Sequence, residues 1–169
     1  MGIVVMFSPE LLSHAEQLLQ QMRSKKLTLT TAESCTGGLL SALFTEIAGS
    51  SDVFTHGYIT YANAAKTAMI GVRTSLIHTH GAVSEPVAVA MAEGALNSSG
   101  ASISVAITGI AGPGGATPTK PVGLVHFASA RAGGETLQAM QQFSGNRAAV
   151  RLQAVSAAIE LLQLQLNRQ

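Results

Sequence analysis

Short β-rich runs alternate with helical stripes along most of this sequence, and that alternation constrains the fold more than any other feature. Ser8-Pro9-Glu10 has the pattern of a helix start, and Leu11, Leu12, Ala15, Leu18, Leu19 and Met22 follow as one apolar stripe. Leu27 to Glu33 is a threonine-rich extended run, expected to be the first strand. A helix is expected over Thr36 to Ala48, ended by Gly49, then a strand over Phe54 to Tyr61 and a short helix over Asn63 to Ile70, stopping near Gly71. Ser84-Glu85-Pro86 opens a helix with Val87, Met91 and Ala95 along one face, and His80-Gly81 reads as another helix end. Ile103 to Ile110 is a strand run that empties directly into glycines. Val122 to Ala130 and Glu135 to Phe143 are two more strand runs, with Gly133-Gly134 between them as a hairpin connection. Ala148, Leu152, Val155, Ile159, Leu162 and Leu166 step by four and three along a final helix and define its expected buried face. Strands alternating with helices predict an α/β fold, a three-layer α/β/α sandwich whose sheet is mostly parallel but mixed because of the hairpin. With no repeat and no linker, residues 1–169 are expected to form one domain.

Bulk properties narrow the function. Ten Lys and Arg against nine Asp and Glu give a net charge of +1, which argues against nucleic-acid binding through a broad basic surface. Charged residues are 11% of the chain, below the roughly 25% common in globular domains, and a surface that poor in charge points to burial in a homo-oligomer. The single cysteine, Cys35, excludes an internal disulfide and a multi-cysteine zinc site, which fits a cytoplasmic protein. No apolar run approaches the roughly 20 residues of a membrane helix, and the opening Met1-Gly2-Ile3-Val4-Val5-Met6-Phe7 lacks the basic region and cleavage site of a signal peptide.

Three segments carry chemistry. Ser34 stands in Thr30-Thr31-Ala32-Glu33-Ser34-Cys35-Thr36-Gly37-Gly38, between the first strand and the next helix. Ligands of open α/β sheets gather outside the carboxyl ends of the strands, and a helix N-terminus favours developing negative charge. Thr36, Gly37 and Gly38 could offer backbone donors to an oxyanion there. The competing readings are a Ser34 N-cap and a Gly37-Gly38 pair that only lets helix and sheet pack closely. Lys66, in Thr60-Tyr61-Ala62-Asn63-Ala64-Ala65-Lys66, is the candidate base, with Tyr61 able to relay or anchor a proton. Neutralising an ordinary lysine at pH 7 costs roughly 4.6 kcal/mol, so its apolar surroundings would have to lower its pKa; otherwise Lys66 is a solvated surface lysine. The loop Thr108-Gly109-Ile110-Ala111-Gly112-Pro113-Gly114-Gly115 can form an anion-binding nest but lacks the ending of a P-loop, and a plain turn is its alternative. Arg147 could add a bidentate phosphate contact or be an ordinary surface arginine. A nucleophile, a base and an anion cradle suffice to hydrolyse an amide on a phosphorylated substrate.

The histidines offer no metal set. His78-Thr79-His80 has no acidic or sulfur ligand close in sequence, His14 is expected in solvent, and His56 and His126 fall on strands as structural residues. Cys35 is read as a small buried residue rather than a rival nucleophile.

These segments resemble the CinA C-terminal-domain family, whose characterised members are nicotinamide-nucleotide amidases. The likeness runs from Thr30–Gly38 through Ile47-Ala48-Gly49-Ser50-Ser51, Gly57–Asn63 with Lys66, Met69-Ile70-Gly71-Val72, Gly81–Pro86, Thr108–Pro113, Lys120-Pro121-Val122-Gly123 and Gly145-Asn146-Arg147. The resemblance implies hydrolysis of nicotinamide mononucleotide to nicotinate mononucleotide and ammonia by a serine–lysine mechanism without metal or cofactor. It implies Ser34 as nucleophile, Lys66 as base and Tyr61 as a supporting hydroxyl. Cys35, Thr36, Gly37, Gly38, Thr108, Gly109, Ala111 and Gly112 would contact substrate, and Arg147 would hold its phosphate. A three-layer sandwich with a mixed sheet and a homodimer are implied as well. Some members carry an additional N-terminal pyrophosphatase-like domain, for which this chain has no room. The alternative of another class is a non-catalytic nucleotide-binding module of the same fold.

Overall fold

The centre of the molecule is set by two strands that expose almost nothing. β1 (Leu29–Glu33) is buried along its whole length, and β3 (Ile103–Gly109) is buried up to its last residue. In the computed structural model, which describes residues 6–168, they form part of a five-stranded sheet. Its other strands are β2 (Phe54–Ile59), β4 (Leu124–Arg131) and β5 (Leu137–Gln142), in the order β2-β1-β3-β4-β5. The opening residues 1–5, read above for a leader sequence, lie outside the described residues. β1 pairs in parallel with β2 and β3, while β4 runs antiparallel to both β3 and β5. The sheet is therefore mixed, as expected, with β4 alone reversed. No helix separates β3 from β4, so the chain turns back through a loop instead of crossing over.

Six helices cover the two faces: α1 (Pro9–Ser24), α2 (Leu39–Thr45), α3 (Asn63–Ile70), α4 (Thr74–His80), α5 (Glu85–Ser99) and α6 (Arg147–Asn167). Large apolar strand residues, among them Leu29, Ile103, Val105, Ile107 and Phe127, pack on one side with α1, α2 and α6. The opposite side presents Ala32, Ala106 and Ala128 to α3, α4 and α5. Small side chains let α5 lie close to the sheet, where the buried Ser104 hydroxyl donates to the Ala92 carbonyl at 2.6 Å. Among the described residues no helix is long and apolar enough to cross a membrane.

Local signals explain the elements well. The Ser8 hydroxyl caps α1 by accepting from Leu11 N, with Pro9 and Glu10 in the first turn. Leu11, Ala15, Leu18, Leu19 and Met22 are the buried face. Gly71 closes α3 in the left-handed region. Two expectations need correction. The helix expected over Thr36 to Ala48 is only Leu39–Thr45, because Gly37 and Gly38 take φ of +58° and +99° and the chain turns there before coiling. The helix end expected at His80-Gly81 is the end of α4 (Thr74–His80), which Gly81 caps. In α6 the buried face is Val150, Ala154, Val155, Ala158, Ile159, Leu161, Leu162, Gln165 and Leu166. Ala148 and Leu152 are exposed, because two alanines, not leucines, mark where the first half of the helix meets the sheet.

One close approach makes a direct prediction. Gly94 lies inside α5, where alanine would ordinarily raise helix stability by about 1 kcal/mol. A Cβ at Gly94 would overlap the backbone oxygen of Ile70 at the end of α3. Gly94→Ala is therefore expected to destabilise the protein by about 1–3 kcal/mol, the usual cost of overpacking, read as a lower urea midpoint at unchanged slope.

Candidate active site

The three parallel strands deliver their carboxyl ends to one edge of the sheet. Glu33, the last residue of β1, sits in register with Ile59 of β2 and Ile107 of β3. Ser34 N–H continues the ladder to Ile107 O at 3.0 Å, and Thr60 N–H donates to Glu33 O at 2.8 Å. The serine turn, the start of α3 and the glycine loop after β3 therefore meet at that edge, as expected of an open α/β sheet. A cavity of about 270 Å³ opens there.

Its floor is the pair foreseen in the sequence. Lys66 comes from α3, is only 1% exposed, and brings Nζ to 3.1 Å from Ser34 Oγ. The same amine reaches the carbonyls of Thr60 at 2.8 Å and Tyr61 at 3.4 Å. Among the described residues no carboxylate pairs with it. Burial lowers the Lys66 pKa, because water can no longer solvate the ammonium. A negative Cys35 would oppose that shift. Burial, however, pushes the Cys35 thiol up to about 11, so near neutrality it carries no charge and is no rival nucleophile. The solvated-lysine reading of Lys66 is thus replaced by a desolvated amine at a hydroxyl. A neutral amine has two N–H bonds and one lone pair. The Thr60 and Tyr61 carbonyls can take the two donors, which leaves the lone pair for the Ser34 proton.

Ser34 is not the N-cap of α2, a position held by Gly38. The capping work is done by Glu33, whose carboxyl group is fully buried. It accepts from the N–H groups of Gly38, Leu40 and Ser41 at 3.1, 3.0 and 2.8 Å, and from Ser41 Oγ at 2.7 Å. This corrects the expected oxyanion donors. Gly38 N–H is spent on Glu33 and Gly37 N–H on Ser34 O, so neither is free. Both glycines serve the backbone path instead. The N–H groups of Cys35 and Thr36 donate to no oxygen among the described residues.

Cys35, Thr108, Gly109, Ala111 and Gly112 line the cavity with Ser34 and Lys66, whereas Thr36, Gly37 and Gly38 do not. The Thr108 hydroxyl donates to Ala82 O at 2.8 Å and fastens the end of β3 to the segment before α5. Arg147, the first residue of α6, spans the mouth. Nη1 donates to Gly112 O at 2.9 Å and Nη2 to the Tyr61 hydroxyl at 3.2 Å. Tyr61 therefore offers its hydroxyl to Arg147, not to Ser34 or Lys66, and its carbonyl to the lysine. Three lining residues were not singled out from sequence: Asn63, one helical turn before Lys66, and Ala82 and Val83. The turn from Lys66 back to Asn63 was the available signal.

The remaining histidines stay away. His14 and His56 are exposed, and His126 on β4 has its pKa lowered by burial and by Lys120, against an opposing pull from Glu85. Among the described residues no group of three or more His, Cys, Asp or Glu could hold a metal. A wider groove of about 520 Å³ runs outside α3 and α4, but its lining holds no thiol, lysine or acid.

A mixed α/β sandwich with a buried lysine beside a serine at the strand ends defines the class: the chain belongs to the CinA C-terminal domain family, whose profile matches residues 11–166. Among its relatives is the nicotinamide-nucleotide amidohydrolase PncC of Escherichia coli K12, 50% identical over 157 residues that make up 93% of this chain and 95% of that protein. A CinA-like protein of Mycolicibacterium vanbaalenii is 54% identical over 136 residues, which cover 80% of this chain and 32% of that longer protein. The crystal structure of the competence/damage-inducible protein CihA from Agrobacterium tumefaciens superposes with a TM-score of 0.92 at 44% identity, covering 99% of this chain and all of that one. A CinA superfamily protein from Enterobacter cloacae gives a TM-score of 0.89 at 30% identity.

Proposed function

We propose that this protein is an amidohydrolase that converts nicotinamide mononucleotide and water to nicotinate mononucleotide and ammonia, using Ser34 as nucleophile and Lys66 as base. The observation that carries this reading is the buried Lys66 amine, 3.1 Å from Ser34 Oγ and, among the described residues, without an acid partner. The relatives named nicotinamide-nucleotide amidohydrolase support the substrate.

Neutral Lys66 takes the Ser34 proton as Oγ attacks the carboxamide carbon. The oxyanion is held by the backbone N–H of Cys35, the residue of the serine turn that lines the cavity. The Lys66 ammonium then returns the proton to the departing ammonia, leaving nicotinate esterified to Ser34. Water attacks that ester, Lys66 takes the water's proton, and the proton passes to Ser34 Oγ as the acid leaves. The glycine loop from Thr108 to Gly112 walls the nucleotide. Arg147, at the N-terminus of the 21-residue α6, meets the phosphate where the helix end also favours an anion. Tyr61 braces the Arg147 guanidinium and, through its carbonyl, the Lys66 amine. The reading includes one domain over residues 1–169, a cytoplasmic homodimer, a role in pyridine-nucleotide salvage, and no resident metal or cofactor.

The test is ammonia release from the mononucleotide, its riboside and free nicotinamide. Turnover of the mononucleotide well above the other two is expected. Binding without ammonia would return the chain to a nucleotide-binding module. In the same assay Arg147→Ala should raise KM for the mononucleotide about 10–100-fold, the worth of a lost charge-assisted hydrogen bond, and leave the riboside rate unchanged.

A further inference from the structure

Arg151 sits one helical turn beyond Arg147 on α6 and is half-buried against the serine turn. Its Nε donates to Cys35 O at 3.1 Å and its Nη2 to Thr36 O at 2.9 Å. One rigid guanidinium thus grips the two carbonyls that directly follow Ser34. Arginine suits this task because its donors lie in one plane at fixed spacing, which a lysine ammonium cannot reproduce.

The grip has a consequence for the opposite edge of each peptide. Across a trans peptide, C=O and the following N–H point in opposite directions. The cis peptide among the described residues is Gly112–Pro113, so the two gripped peptides are trans. With Cys35 O turned to Arg151, Thr36 N–H is turned away from it. With Thr36 O turned to Arg151, Gly37 N–H is turned away as well, and it ends on Ser34 O at 3.0 Å. Glu33 holds the far side of the turn through Gly38 N–H and the first turn of α2. Cys35 N–H, on the residue that lines the cavity next to Ser34, is left without an oxygen partner among the described residues. Leu39 N–H also donates to Thr36 O at 3.1 Å, so loss of the guanidinium would free the Cys35 carbonyl alone and loosen the residue that follows Ser34.

We infer that Arg151 is a positioning residue for acyl transfer at Ser34: by holding the Cys35 carbonyl it anchors the residue that lines the cavity beside Ser34 and whose N–H meets the developing oxyanion. This rests on the amidase reading above. The contribution belongs to the transition state, since the ground-state carboxamide needs no such donor.

The experiment compares the wild-type chain with Arg151→Ala and Arg151→Lys in ammonia release from nicotinamide mononucleotide, alongside calorimetric binding of the product, nicotinate mononucleotide. Both variants should lose about 10²-fold in kcat, the cost of one misplaced oxyanion donor, with KM and product affinity within about threefold of wild type because the phosphate contact is intact. Millimolar guanidinium chloride should restore part of the kcat of Arg151→Ala, where the side-chain space is empty, and none of that of Arg151→Lys. Full kcat in either variant, a loss confined to KM, absent rescue of Arg151→Ala, or failure of both variants to fold would each overturn the inference while leaving the amidase reading in place if the wild type turns over. A wild-type chain that releases no ammonia overturns both.

Discussion

Ser34→Ala should bind nicotinamide mononucleotide as the wild type does and release essentially no ammonia from it, a loss on the order of 10⁴-fold or more in kcat, since the chemistry loses its attacking atom. The side chain is small and its recorded partner is Lys66 Nζ, so the fold should survive its removal. Steady-state kinetics with an ammonia-coupled readout, together with calorimetric titration of substrate into the variant, separates the two effects. The pattern distinguishes a nucleophile from a binding residue: kcat collapses while Kd stays.

Lys66→Met should abolish turnover to the same degree, and it should also change how stability responds to pH. Burial lowers the folded-state pKa of Lys66 below its ordinary value of 10.5. Between the lowered value and 10.5 the unfolded chain binds more protons than the folded one, so unfolding free energy rises with pH across that window. Below the lowered value both states are protonated and the dependence vanishes. Cys35 works in the opposite sense, because its folded pKa of about 11 lies above its ordinary 9.0 and stability falls with pH between those two values. The thiol is present in both proteins and largely uncharged below pH 9.0, so up to that pH subtracting the urea-unfolding profile of Lys66→Met from that of the wild type leaves the lysine's contribution. Over that range the difference should rise with pH from the lowered value upward. The activity of the wild type should rise along the same curve, because only the neutral amine can accept the Ser34 proton. A flat difference profile would mean that Lys66 is charged in the folded protein.

Much of this architecture can be read residue by residue. Local chemistry gave the helix start at Ser8-Pro9-Glu10, the stop at Gly71 and the buried run at Ile103, and each survives in the structure because cap and period act within a few residues. The positions of Ser34 after β1 and of the glycine loop after β3 follow from the rule for open sheets, given that β1 and β3 are parallel. Ser34 and Lys66 are 32 residues apart, and composition alone left the lysine free to be a solvated one. The family resemblance joined them, and burial of α3 against the sheet is what brings the amine inward. Other features left no local trace. Arg151 reaches Cys35 across 116 residues. Glu33 reads as the polar end of a strand, yet its carboxyl group folds back over the turn to cap α2. Two glycines beside a serine suggest free amide donors, and only the three-dimensional path shows that Glu33 and Ser34 O have taken those amides. The face of α6 misled for a related reason. Alanines at 154 and 158 are buried because helix and sheet approach closely there, while the larger Leu152 is left at the surface.

The most direct measurement is an NMR titration of the Lys66 side chain in protein carrying lysine labelled with carbon-13 at Cε, with Lys66→Met supplying the assignment. A midpoint well below 10.5, moving when Ser34 is replaced by alanine, is the result expected of a desolvated amine that shares a proton with the serine. A midpoint at or above 10.5, unmoved by Ser34→Ala, would mean that the lysine holds its proton throughout the working range and cannot act as the base.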